Sequence, residues 1–216
     1  MKRVRRFVSM FSACCLLIIV CVPQAGAHEK STPCRWHDVY WHTGMQKNVA
    51  RLMCNADAVM DSWYRQCLYN AMEIWDWNDD GYCDPQIEDN YDAARVICSD
   101  AYSQDFNQQA LALTRTWLLA SNNWAFVNSA KTARKISRAT INFNKPLAEQ
   151  LAANSNDVTK TWVHEIGHVL GFAETNDGTV SVMKQGLGRT LGWSNYWLPQ
   201  THDITDIRNW YKDLKL

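Results

Sequence analysis

The run His164-Glu165-Ile166-Gly167-His168-Val169-Leu170-Gly171-Phe172-Ala173-Glu174 constrains the fold of this chain more than any other stretch. Residues four apart on an α-helix lie one above the other, so the spacing predicts that His164 and His168 share a face and can bind one metal ion through their ring nitrogens. Glu165 then stands beside them. A carboxylate next to a zinc-activated water can take its proton, because the metal brings the pKa of that water toward neutrality. Gly171 stops the helix and lets the chain turn back, so that the residue three positions on, Glu174, reaches the same metal. If Glu174 instead points to solvent, His202 is the best replacement, as the only other histidine C-terminal to the motif.

The surroundings of the run narrow its reading. A polar turn, Thr175-Asn176-Asp177-Gly178, leads to Ser181-Val182-Met183, and the apolar residues of Asp203-Ile204-Thr205-Asp206-Ile207-Arg208-Asn209-Trp210-Tyr211 recur at helical spacing. Together these resemble the metzincin clan of zinc endopeptidases, most closely its matrixin-like branch. Metzincins carry HExxHxxGxxH and then a Met-turn, and matrixin-like members often end in a helix reading Asp-Ile-x-x-Ile-x-x-Leu-Tyr, which residues 203 to 211 match except at Trp210. The resemblance covers about half of the chain, from roughly Phe106 onward.

That resemblance implies an α+β fold of zincin-like type: a mixed twisted sheet with a backing helix and an active-site helix. It implies a zinc cofactor, a protein or peptide substrate, and peptide-bond hydrolysis with Glu165 as general base. Met183 is expected to floor the metal site without ligating it, and Trp193, Tyr196 and Trp197 to form the wall of a primed-side specificity pocket. Gln185 stands two residues after Met183, where astacin-like relatives have tyrosine, so no tyrosine is expected to stabilise the oxyanion. Glu174 is a departure, since most of the family has His there and some bacterial relatives Asp. A glutamate oxygen nevertheless binds zinc at about the distance of an imidazole nitrogen, roughly 2.0 to 2.2 Å. The alternative function is a binding or inhibitory module that kept the zincin fold and lost turnover. It explains the irregular third ligand but not an intact Glu165.

The first 27 residues have a basic start (Lys2, Arg3, Arg5, Arg6), an apolar stretch from Phe7 to Val22 and a small-residue end at Ala25-Gly26-Ala27, the pattern of a signal peptide. A secreted or periplasmic protein is therefore expected, with residues 28–216 as the mature chain and no membrane association after cleavage. A formal net charge of zero offers no electrostatic footprint for nucleic acid. Oligomeric state is not legible. Cys34, Cys54, Cys67, Cys83 and Cys98 all precede the zinc motif, and disulfides among them are expected to staple a mostly helical segment, 28–103, ahead of a catalytic domain at 104–216. Five is an odd number, so one thiol remains over, or Cys34 acts as a latch on the metal as in the pro-segments of some matrixins.

From Cys54 to Cys98 the apolar residues Val59, Met60, Trp63, Cys67, Met72 and Trp75 recur at roughly helical intervals. The loop from Asp76 to Asp84 places Asp76, Asn78, Asp80 and Asp84 at positions 1, 3, 5 and 9 of an EF-hand-like calcium loop with Gly81 at 6, but position 12 is Ile87, not an acid. Calcium is thus a second candidate cofactor, and a non-proteolytic calcium-binding adhesion protein a third functional reading. Residues 104 to 120 read as a long helix backing the sheet. Trp124 to Val127 and Ile136 to Phe143 read as strands, the second because Ala139, Ile141 and Phe143 alternate with Arg138, Thr140 and Asn142. Asn156 is the expected N-cap of the zinc helix, and Val158, Trp162, Val163, Ile166 and Leu170 its buried side.

Overall fold

A computed structural model describes residues 35–36, 39–42, 44–78, 81–101, 110–120, 123–126, 135–175, 179–186 and 197–211. The signal-peptide segment and Cys34 lie outside them. The fold is a mixed sheet with helices packed against it. In chain order the elements are β1 (Arg35–Trp36), β2 (Val39–His42), β3 (Lys47–Ala58), α1 (Ser62–Asn78), β4 (Cys83–Ile87), β5 (Val96–Ser99), β6 (Ala112–Ala120), β7 (Asn123–Phe126), β8 (Lys135–Phe143), α2 (Lys145–Gln150), α3 (Ser155–Leu170) and α4 (Thr201–Tyr211). Among the described residues no helix is long and apolar enough to cross a membrane.

The strand order is β2-β3-β5-β8-β6-β7, with β4 added to β3 and β1 to β8. β3, β5 and β8 run parallel, whereas β6 is antiparallel to β8 and β7 antiparallel to β6. The alternation in β8 is realised: Ala139, Ile141 and Phe143 are buried and the residues between them are only partly covered. The sheet is continuous across residue 103, since β3 and β5 precede that point and β6 to β8 follow it.

Three expectations are corrected. The stretch 112–120 is strand β6 and not helix, because Thr114, Thr116 and Trp117 are better suited to a pleated surface and the backbone of Ala112 to Leu118 pairs with β8; residues 104–109 lie outside the described residues. The helix of the N-terminal half is instead α1, which packs on α3 and β4. The segment from Cys54 to Cys98 is mostly strand and turn apart from α1, with Leu52, Cys54 and Ala56 of β3 pointing into the core. Lastly, Cys54, Cys67, Cys83 and Cys98 are free thiols in this structure, all buried. They sit on β3, α1, β4 and β5 and pack as small apolar side chains, the usual behaviour of a buried free cysteine. Burial pushes the Cys98 thiol up to about 12.

The core that matters for the site lies between α1, α3 and the sheet. Trp162 of α3 meets Phe143 of β8 at 5.0 Å between ring centroids, and Trp75 of α1 stacks on Phe172 at 6.0 Å. The Trp75 indole N–H also donates to the Val163 carbonyl over 2.8 Å, fixing α1 to the middle of α3. Burying an indole without such a partner would leave its N–H unsatisfied.

Gly167 explains itself in this packing. Glycine inside a helix costs about 1 kcal/mol relative to alanine, so its use at mid-helix calls for a reason. A Cβ at Gly167 would come within 2.3 Å of Met183 Sδ and 3.4 Å of Trp75 Cζ2. Met183 is fully buried and occupies the space a side chain would need. Gly167→Ala should therefore destabilise the fold by roughly 1–3 kcal/mol through overpacking, despite its better helix propensity. Urea unfolding of the metal-free protein checks this, and a stabilised variant would mean that Met183 does not pack against the helix backbone.

Candidate metal centre

Local sequence places the ends of α3 with care. Asn154 is its N-cap and Asp157 completes a reciprocal capping box, the Asn154 side chain accepting from the Asp157 N–H and the Asp157 carboxylate from the Asn154 N–H. The expected cap, Asn156, is instead a first-turn residue, because Asn154 and Asp157 together satisfy two backbone donors, one each, where Asn156 would have only Thr159 as partner. The expected buried face holds: Val158, Trp162, Val163, Ile166 and Leu170 are all in the core. Gly171 ends the helix in the left-handed region at φ 107°, which glycine adopts without a Cβ penalty. The Phe172 N–H then bonds back to the Gly167 carbonyl.

That turn brings Glu174 to the histidines. His164 Nε2 lies 3.2 Å from Glu174 Oε1, His168 Nε2 lies 3.3 Å from the same oxygen, and the two Nε2 atoms are 3.2 Å apart. Tetrahedral ligands about 2.0–2.1 Å from a zinc ion are separated by roughly 3.3 Å, so the three atoms have the spacing of one face of such a site. The opposite ring nitrogens are held by backbone carbonyls: His164 Nδ1 donates to Val182 O and His168 Nδ1 to Phe172 O, each over 2.9 Å. With Nδ1 as donor, both Nε2 lone pairs face the centre, the tautomer that metal ligation requires. Glu174 Oε2 is buried without a hydrogen-bond partner among the described residues, as an oxygen reserved for an ion would be. The donor set and spacing fit zinc.

The electrostatics agree. Burial opposes charge on Glu174, but hydrogen bonds from His164 and His168 outweigh it and hold the carboxyl well below the usual range. Burial likewise opposes charge on His168, yet its bond to Glu174 and the charges of Glu165 and Glu174 win and raise its pKa above 6.5. Without metal, a proton on His168 and the charge on Glu174 therefore favour each other.

His202 does not join the cluster; it lies on α4, 3.3 Å from its neighbour Asp203. Met183 packs against Gly167 of α3, its N–H donating to Ser181 Oγ, and the Ser181 hydroxyl donates to Asp203 Oδ1 over 2.9 Å. At the other end of α4 the Tyr211 hydroxyl donates to Leu170 O, the last residue of α3. The C-terminal helix thus bolts the Met183 turn to the end of the metal helix. Asp203 and Tyr211 are visible in the sequence only as motif positions, and their partners could not be named from it.

A cavity of about 520 Å³ opens beside the cluster, lined by Ala110, Leu111 and Ala112 ahead of β6 and at its start, by Lys160, Thr161, His164 and Glu165 of α3, and by Glu174, Gln185 and Gly186. Glu165 is buried, and its Oε2 accepts a 2.6 Å bond from the Thr114 hydroxyl of β6. Thr114 reaches Glu165 only because residues 112–120 form a strand and not the expected helix. Lys160 was also unforeseen, although a lysine one turn before His164 on a mostly apolar helix is a visible anomaly.

Other expected residues fall elsewhere. Trp193 and Tyr196 lie outside the described residues. Trp197 lines a separate depression with Trp77, Asn70, Glu73 and Ile74 of α1 and Ser155, Asn156 and Thr159 of α3, away from the metal cavity. Of the calcium candidates, Asp76 and Asn78 belong to the last turn of α1 and Asp84 to β4, while Asp80 lies outside the described residues. Burial, and then the charge of Asp84, raise the Asp76 carboxyl, and Asp84 accepts a hydrogen bond from Gln86. Among the described residues the His164, His168 and Glu174 group is the one set of three ligand side chains within 4.8 Å of one another. The chain matches no protein-family model and no curated protein.

Two outcomes follow for metal binding. Glu174→Ala should lose zinc or bind it far more weakly, Glu174→His should retain it, and His202→Ala should leave metal content unchanged. Zinc also competes with a proton for His168. Because that pKa is raised, zinc affinity should fall as pH drops and begin to do so on the alkaline side of 6.5, with proton release on binding. Calorimetry in buffers of different ionisation enthalpy reads both; pH-independent affinity between 6 and 8 would contradict that competition.

Proposed function

We infer that this chain is a zinc-dependent endopeptidase of the matrixin-like metzincin type, with a zincin-like fold, acting outside the cytoplasm as a secreted or periplasmic enzyme. The observation that carries the reading is the juxtaposition of the His164, His168 and Glu174 cluster with Glu165 at the wall of one open cavity. When bound there, zinc supplies Lewis acidity, polarising the scissile carbonyl and making water a nucleophile near neutral pH.

The residues of the chain do the rest. Glu165 accepts the proton of the attacking water and later delivers it to the leaving amine nitrogen. The Thr114 hydroxyl holds Oε2 of Glu165 in place, and Oε1 has no protein partner among the described residues. Restricting one carboxylate oxygen in this way keeps the base in a fixed orientation toward the cavity, which lowers the entropic cost of reaching the reactive geometry. β7 pairs with β6 only from Trp117 to Ala120. The outer edge of Ala112 to Thr114 is therefore left without a strand partner among the described residues, and its start at Ala112 lines the cavity. An extended peptide can add to that edge through main-chain hydrogen bonds, which orients it without dictating its sequence.

A catalytically weakened binding module is disfavoured by Glu165 itself, since a buried carboxylate beside a metal cluster is costly unless it is used. Glu165→Ala should leave zinc content and melting behaviour intact while lowering peptide hydrolysis roughly 100- to 10,000-fold, because it removes the base and no ligand. Casein or peptide-library digestion by the zinc-loaded variant reads this. Undiminished cleavage would overturn the assigned mechanism.

A further inference from the structure

Lys160 is a buried cation in the wall of the metal cavity. It is only 2 % exposed, and its ammonium donates to Lys184 O over 2.7 Å and to Gly186 O over 2.9 Å. An ammonium has three donors, so one N–H has no partner among the described residues. Burial drags its pKa down to about 8, against the pull of Glu174 and Glu165, the two carboxylates that favour its charge. Neither is a dedicated partner: Glu174 belongs to the metal cluster and Glu165 to Thr114 and the reaction.

A merely structural tie to two carbonyls does not need a full charge, and a buried charge without a counter-ion is expensive. Zinc at the cluster would neutralise Glu174 and Glu165, the two carboxylates that favour charge on Lys160, and the ammonium would then need another anion in a cavity that a substrate must enter. His164 lies one helical turn from Lys160 on the same face, so a group that meets the ammonium lies close to the bond being cleaved.

We propose that Lys160 is the specificity-determining residue of this cavity, pairing with a substrate carboxylate next to the scissile bond. The carboxylate is either the side chain of an Asp or Glu flanking that bond or the free C terminus of a short peptide. This rests on the peptidase reading for its site, but not for its chemistry, since the cavity can bind a carboxylate whether or not it turns substrate over.

The test uses the zinc-loaded full chain and peptides identical except for Glu, Gln, Leu or Lys on either side of the cleaved bond, each with a free or an amidated C terminus. kcat/KM for Glu should exceed that for the isosteric Gln at least ~10-fold, because only the carboxylate pairs with the cation. If the advantage follows the free C terminus instead, the terminal carboxylate is the one recognised. Lys160→Met should abolish the preference and favour Leu, and Lys160→Arg should keep it, which covers the case in which the Met variant fails to fold. Equal rates for Glu and Gln and for free and amidated ends would overturn the proposal while leaving the peptidase reading intact. The converse is separable by calorimetry on zinc-loaded Glu165→Ala. Tighter binding of the Glu peptide there, with no cleavage of any peptide by the unmodified protein, would sustain Lys160 recognition and end the peptidase reading.

Discussion

The left-handed turn at Gly171 is the constraint on which the rest of the site depends. It ends α3 immediately after the two histidines, and its geometry does three things at once. The chain doubles back so that Glu174 reaches both Nε2 atoms. The carbonyl of Phe172 arrives where it accepts the Nδ1 proton of His168. The ring of Phe172 drops between Trp75 and Trp210, fastening the turn to α1 and α4. A residue with a Cβ would resist this conformation, and all three contacts would shift together.

Around that turn, the packing of Met183 against Gly167 and the bonds from both ends of α4 form a second frame. Ser181 and Asp203 carry no ligand, yet they fix the segment whose Val182 carbonyl orients His164, while Tyr211 holds the end of α3 at Leu170. Orientation of imidazoles by backbone carbonyls is as much a part of a metal site as the ligands, because it selects the tautomer and sets the direction of the lone pair. The cluster is thus built from local geometry first and charge second: the short His and Glu separations cause the lowered Glu174 and raised His168 pKa values.

Much of this was legible from sequence because it is local. Helical spacing puts His164 over His168, a glycine at Gly171 permits the turn, and strict alternation marks β8. What failed was non-local. Residues 112–120 have an apolar content that suits either a helix or a strand, and only pairing with β8 decides between them. Asn154 and Asn156 are equally good caps alone, and the reciprocal bond from Asp157 decides for Asn154. Pairing of cysteines is likewise non-local: their clustering in the sequence suggests a disulfide framework, whereas Cys54, Cys67, Cys83 and Cys98 sit on β3, α1, β4 and β5 as free, buried thiols. Thr114 and Lys160 were unreadable as site residues, since neither belongs to the motif and each matters only through what the fold sets beside it.

The central claim is that His164, His168 and Glu174 together hold one zinc ion. Extended X-ray absorption fine structure at the zinc edge of the metal-loaded protein tests it most directly. The account predicts a first shell of nitrogen and oxygen only, at about 2.0–2.2 Å, with the outer-shell pattern of two imidazoles. A sulfur scatterer near 2.3 Å, or the signature of three imidazoles, would contradict it, the first by bringing a cysteine to the metal and the second by replacing Glu174 with another histidine.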